Sequence, residues 1–304
     1  AHHAHHAHHA HHAHGGGSPL LSSALGSTSE ALMGYWSNQM DVPVPDPSDD
    51  LARLMRLDPH PRAVTLAHEA CALFNSVPAT APEGAFVVMA GAQPIVSLTP
   101  PGTAKIKEQM TELRAAMDLR ADRLAEIIAQ QSDLFSFFSA QQPLGLYRRP
   151  YTELLITALY DAVVSQEQRM KHFCSVLRPV DLSPQIQPII ATPGHSAYPS
   201  GHATEAFALA TIIAALRLSG AGVADASLIG GITNKLIKAA DSANAMDHTV
   251  LLYRLAARIA DNRTIAGVHY PVDSAHGALL GLSVTFGFVA HCLGGGDQLK
   301  VPVY

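Results

Sequence analysis

The chain has 304 residues, with 20 Lys or Arg against 25 Asp or Glu, for a formal charge of −5. Charged residues make up 15% and hydrophobic residues 48%, which excludes a disordered chain, and the mild acid excess without a Lys/Arg block argues against nucleic acid as a partner. The three cysteines, Cys71, Cys174 and Cys292, are too few and too far apart for a disulfide framework or a CxxC metal knuckle, and read as small buried hydrophobes.

Residues 1–18, AHHAHHAHHAHHAHGGGS, are a His/Ala repeat with a Gly/Ser linker and look like a purification handle. Half of the 18 histidines lie in it, and they belong to the handle rather than to a native site. Residues 19–150 form an N-terminal helical and loop region. An acidic Pro-rich loop is expected at 41–50, a helix over 62–76, and a Pro/Gly-rich ordered loop or cap over 78–102. Residues 104–131 lack Gly and Pro and predict one long amphipathic helix.

A break at Gln142-Pro143-Leu144-Gly145 precedes a helix over Tyr151–Leu177, stopped by Pro179. Residues 180–199 hold four prolines and read as a loop. Further helices are expected over Gly201–Leu218, Leu228–Ser242, His248–Arg263 and Val272–Cys292, with 294–304 as a tail. No strand pairs are evident. The fold class expected is all-α, a helical bundle over 151–293 with additional N-terminal helices. The apolar runs Ala206–Leu216 and Gly277–Ala290 fall short of the ~20 residues that span a bilayer, so a soluble protein without a membrane span is expected, its compartment undetermined.

Three segments carry chemistry. In KHFCSVLRP, Lys171 and Arg178 are seven apart, two helical turns, so both cations are expected to point the same way, and two aligned cations suit an oxyanion. In YPSGHAT, Ser200, Gly201 and His202 arrive at a helix start, where free amides and the helix dipole favour an anion. In NRTIAGVHYPVD, Asp273 lies four residues after His269 and can take the proton of one ring nitrogen. The other nitrogen is then left as nucleophile or metal ligand, and Arg263 adds a third cation. Each segment alone has a plainer reading, as a solvated basic face, a Ser N-cap or a structural hydrogen bond. Asp241 and Asp247 could pair with one of the arginines.

In order, Lys-x6-Arg-Pro, Pro-Ser-Gly-His and Arg-x5-His-x3-Asp resemble the signature of the type 2 phosphatidic acid phosphatase and vanadium-dependent haloperoxidase superfamily. All fixed positions are present, and only Asn262, where Ser often precedes the arginine, departs at a peripheral place. The resemblance implies that Lys171, Arg178, Ser200, Gly201 and Arg263 cradle vanadate or phosphate. In a phosphatase His269 would attack phosphorus and His202 would protonate the leaving oxygen. In a haloperoxidase His269 would be the axial ligand of vanadate, oriented by Asp273, with Lys171 polarising bound peroxide and His202 as acid/base. Its partners would be hydrogen peroxide, a halide and a small organic substrate.

The haloperoxidase branch is the closer resemblance, through the lead-in TPGHSAYPSGHA and through His195, which corresponds to a histidine of algal bromoperoxidases. Gln168 stands where fungal chloroperoxidases have Trp, which implies bromide or iodide rather than chloride. The alternatives are a soluble acid phosphatase working through a phosphohistidine and a non-catalytic oxyanion-binding protein. The chain is about half as long as many haloperoxidases, so a homo-oligomer is expected to supply the missing surface.

Overall fold

The computed structural model describes residues 19–32, 48, 50–80, 84–144, 149–222, 227–237 and 247–294. The His/Ala repeat, most of the 41–50 loop, Gly145, residues 238–242 and the tail beyond Gly294 lie outside the described residues. The chain divides into two units, residues 1–66 and 67–304. The first holds the exposed helix α1 (Pro19–Leu32), the short α2 (Asp50–Met55) and the start of α3 (Pro59–Ala72). Arg62 closes its turn by donating to the carbonyls of Met55 and Leu57.

The second unit is mostly helical, as expected, with one departure. Residues 74–98 form a three-stranded antiparallel meander, β1 (Phe74–Pro78), β2 (Phe86–Ala90) and β3 (Gln93–Leu98), where the sequence predicts a helix end and a loop. The strands are five or six residues long, too short for an alternating pattern to stand out, and Pro94 sits in β3 beside a register irregularity at Val88/Met89. Packing decides the conformation. Val88, Ile95 and Val96 are buried, and the sheet docks on α7 (Pro150–Cys174) through Ser76 Oγ donating to Gln166 Oε1 at 2.6 Å and Arg169 donating to the Ser76 carbonyl.

The long helix expected over 104–131 is two helices, α4 (Thr103–Ala116) and α5 (Arg120–Ala129), joined by a 3-10 turn at Met117–Leu119. No Gly or Pro causes the break. Leu113 of α4 and Ile127 of α5 enter separate apolar clusters, and the turn lets each reach its own. Arg120, at the start of α5, donates to the carbonyls of Ile186, Gln187 and Ile265, which fixes the second helix.

After α6 (Phe135–Ser139) come α7, the short α8 (Pro179–Leu182), α9 (Gly201–Gly220), α10 (Ser227–Ile237), α11 (His248–Ile265) and α12 (Pro271–Cys292). Pro150, Pro179 and Pro271 each open a helix in its first turn, where a missing N–H costs nothing. Asp247 caps α11 by accepting from the Thr249 amide and pairs with Lys235 rather than with an arginine. Helix α9 is apolar almost all round and is therefore the central helix, packed on α12, α11 and α7. α9 and α12 extend beyond the apolar runs seen in the sequence. Both are long and apolar enough to cross a membrane by length and composition, and most of each is buried within the protein. The cysteines are free: Cys71 and Cys174 are half-buried and Cys292 is exposed, since Cys174 and Cys292 end helices rather than pack inside them.

The α9–α12 contact is close enough to exclude side chains. A Cβ on Gly281 would stand 2.2 Å from the Thr204 carbonyl oxygen, and one on Gly277 would stand 2.5 Å from that of Ser200. Gly281→Ala must push the helices apart and is expected to cost about 1–3 kcal/mol in chemical denaturation. An unchanged unfolding midpoint would contradict this packing.

Candidate oxyanion site

Helix α7 ends at Cys174, where Ser175 takes a left-handed conformation at φ 49° and its amide bonds the Lys171 carbonyl. Lys171 thus sits in the last turn of α7, while Arg178 lies beyond the helix in extended backbone before Pro179. The two cations do not share a helix face, as continuous periodicity would have had it. The chain turns between them and brings them together from two directions. Lys171 Nζ donates to the carbonyls of Pro199 and Ser196. Arg178 donates to the carbonyls of His195, Ser196 and Val268, so both cations brace the loop that leads into α9.

Ser200 and Gly201 open α9, and the Ser200 amide donates to the Asp273 carbonyl at 2.9 Å, tying the second segment to the third. A Cβ on Gly201 would lie 2.5 Å from Glu167 Oε1, so glycine is required here for the approach of a carboxyl group from α7. His269 precedes α12, with Nδ1 3.2 Å from Asp273 Oδ2, which also accepts from the Tyr270 amide at 2.9 Å. Its Nε2 is 3.1 Å from Arg178 Nη1. A guanidinium only donates, so Nε2 carries the lone pair and Nδ1 carries the proton directed at Asp273. His202 Nε2 donates to the Gln130 carbonyl at 2.8 Å, which leaves Nδ1 as that ring's acceptor in the neutral form. His195 is exposed, with Nδ1 3.2 Å from Arg178 Nη2. Lys171, Arg178, Ser200, Gly201, His202, Arg263, His269 and Asp273 are brought together around one locus, with His195 at its rim.

Burial within this cluster is extreme for charged groups. Lys171, Arg178, Arg263, His269 and Asp273 are each under 5% exposed. Several of their atoms also lack partners among the described residues: Arg263 Nε and Nη1, Ser200 Oγ and Asp273 Oδ1. An unpaired buried donor costs about 1–3 kcal/mol, and more when charged. Three of these four atoms are donors, so a ligand made of acceptor oxygens would relieve that cost. A tetrahedral oxyanion fits, held by Arg263, Ser200 and the cations, with the His269 Nε2 lone pair as the atom able to bind its centre. Among the described residues no group of three or more His, Cys, Asp or Glu converges as a cation site.

Residues 151–293, from the start of α7 to the end of α12, match the family model of the PAP2 superfamily. Residues 151–293 are a PAP2 superfamily domain. No curated protein matches it. PAP2 superfamily members are generally enzymes, phosphatases and haloperoxidases among them.

The structure adds residues to this PAP2 site that sequence reasoning missed. Glu167 is buried one turn before Lys171, its Oε1 3.9 Å from Nζ. Glu205 lies near enough to influence the charge of Lys171, Glu167 and Arg263. Glu167 at i−4 from the motif lysine was legible as helical spacing, but only burial shows that it faces the site. Asn262, peripheral in the sequence pattern, is buried and donates to Glu126 Oε2 and Gln130 Oε1, fastening α5 to α11. His276 bonds Tyr198 at 2.5 Å rather than joining His269.

Burial governs the electrostatics. It pushes Glu167 up to about 8 and Asp273 up to about 7, and it pulls Lys171 down to about 8. It also holds His269 well below its ordinary value, reinforced by the Arg178 and Lys171 charges. Partial desolvation at the rim and the Lys171 charge lower His195 to about 4, so that ring is neutral at physiological pH. Below pH 7 the carboxyl groups are mostly protonated and the three cations dominate. As pH rises through 7 to 8, Asp273 and Glu167 ionise and Lys171 loses its proton, each step making the site more negative. The affinity for inorganic phosphate is therefore expected to fall at least about tenfold between about pH 7 and about pH 9. Isothermal titration calorimetry reads this, and a flat or rising affinity would contradict it.

Proposed function

We propose that this protein is a vanadate-dependent haloperoxidase that oxidises bromide or iodide with hydrogen peroxide and halogenates small organic compounds. The observation that carries this reading is the closure of the cradle. Its cations and His269 are nearly fully buried, and the last turn of α5 lies against Arg263 and His202, with the Ile127 and Gln130 carbonyls accepting from them. Peroxide and halide are small enough for such a site, whereas a phosphatase must admit the organic half of its ester. A cleft of about 500 Å³, lined by Leu119, Phe207, Ala260, Asp261 and Thr264 among others, shares no residue with the cradle. That separation suits an oxidant released to react with an organic molecule nearby.

Bound vanadate would supply the Lewis-acidic centre at which hydrogen peroxide oxidises a halide. The residues of the chain do the rest. Arg178, Arg263 and Lys171 hold the negative charge, and Ser200 Oγ donates to an oxygen. Asp273 keeps the His269 proton on Nδ1, so Nε2 remains the coordinating atom. His202, its Nε2 proton fixed on the Gln130 carbonyl, takes and returns a proton at Nδ1. His195, neutral and held by Arg178 at the rim, meets the incoming peroxide. In this reading α9 and α12 are core helices of a soluble enzyme.

The second reading, a phosphatase, rests on the same His269–Asp273 pair, because an Nε2 lone pair directed by a carboxylate is also a nucleophile for phosphorus. Bromination of a dione indicator with peroxide and bromide separates the two. Activity is expected only after orthovanadate is added, with loss on adding phosphate and on His269→Ala. No bromination, together with hydrolysis of an aryl phosphate that His269→Ala abolishes, would establish the phosphatase instead.

A further inference from the structure

Gln130, one residue past the end of α5, is 1% exposed and lies outside the segment matched to the PAP2 superfamily. Its side-chain oxygen accepts from Asn262 Nδ2 at 2.9 Å and from Arg263 Nη2 at 3.4 Å. Both partners only donate toward it, so the assignment of the amide is fixed by chemistry: Oε1 is the atom bonded to Asn262 and Arg263, and Nε2 is engaged by neither. Nε2 has no partner among the described residues. The backbone carbonyl of the same residue holds His202. Gln130 is thus in contact with two members of the cradle, His202 and Arg263, and both Gln130 Nε2 and the Nε and Nη1 of Arg263 are buried donors without partners among the described residues.

Buried donors without acceptors are satisfied by a ligand that only accepts. We propose that Gln130 Nε2 is a direct ligand of the oxyanion, a neutral donor delivered by α5 to a site otherwise built by α7 to α12. This rests on the oxyanion reading of the site. The choice of an amide has a consequence: it adds a hydrogen bond without adding a fourth cation, and its acceptor end anchors Arg263 at the same time. Anion affinity is thereby coupled to the seating of α5, which Arg258 and Asn262 clamp through Glu126.

The test uses inorganic phosphate and orthovanadate titrated calorimetrically into the full chain. Gln130→Met keeps size and neutrality and removes the donor, and is expected to weaken both anions about tenfold, the worth of a hydrogen bond to a charged group. Gln130→Glu retains an acceptor for Asn262 and Arg263, which preserves the fold if methionine does not, and replaces the donor with a charge; it is expected to weaken binding further. The side-chain amide signals of Gln130, identified in 15N NMR spectra by their loss in Gln130→Met, are expected to shift when phosphate binds. Affinity within twofold of wild type in both variants would overturn the proposal. So would weakened binding with an unmoved Gln130 amide signal, since that pattern belongs to a structural role. Absence of binding by the wild-type protein would overturn the oxyanion reading itself and the role of Gln130 with it.

Discussion

The close approach of α9 and α12 sets the positions of everything at the site. Gly277 and Gly281 let the two backbones meet where any side chain would collide with the Ser200 and Thr204 carbonyls. At that contact the Ser200 amide bonds the Asp273 carbonyl, so the start of α9 and the start of α12 are fixed against each other by main chain alone. Arg178 then joins the third direction, donating to the Val268 carbonyl just before His269 and to the loop before Ser200. Backbone-level fixing matters because a site of this kind works by preorganised charge, and its donors must not relax when a ligand arrives.

Three buried cations in so small a volume would repel one another strongly without compensation. The compensation is of two sorts. Backbone carbonyls take many of their hydrogen bonds, Glu205 interacts with their charge, and Glu167 and Asp273 supply negative charge that burial makes easy to neutralise. The carboxyl groups can carry protons near neutrality, so the cationic excess is adjustable rather than fixed. The atoms left over, Arg263 Nε and Nη1 and Ser200 Oγ, are what an oxyanion would meet.

The chemical residues were legible in the sequence because their spacing is tied to chain geometry: Asp273 one turn from His269, and Ser200 and Gly201 at a helix start. The helices of the bundle were legible for a similar reason, long apolar or amphipathic periods bounded by prolines. What failed was whatever depends on distant packing. The meander at 74–98 consists of strands too short to show a period, and it exists because Val88, Ile95 and Val96 find a core against α7 and α12. The common helix face imagined for Lys171 and Arg178 gave way to the left-handed turn at Ser175, which no residue type there announces. Glu167 and Gln130 looked like ordinary polar positions of helices, since only the folded chain shows them buried beside Lys171 and Arg263.

The measurement that bears most directly on the central claim is a crystal structure of the protein with orthovanadate, the His-rich residues 1–18 removed. The anion is expected among Arg178, Arg263 and Ser200, with vanadium coordinated by His269 Nε2 and the Asp273 contact to Nδ1 retained. Vanadate bound elsewhere, with the Arg263 and Ser200 donors still unpartnered, would contradict the account.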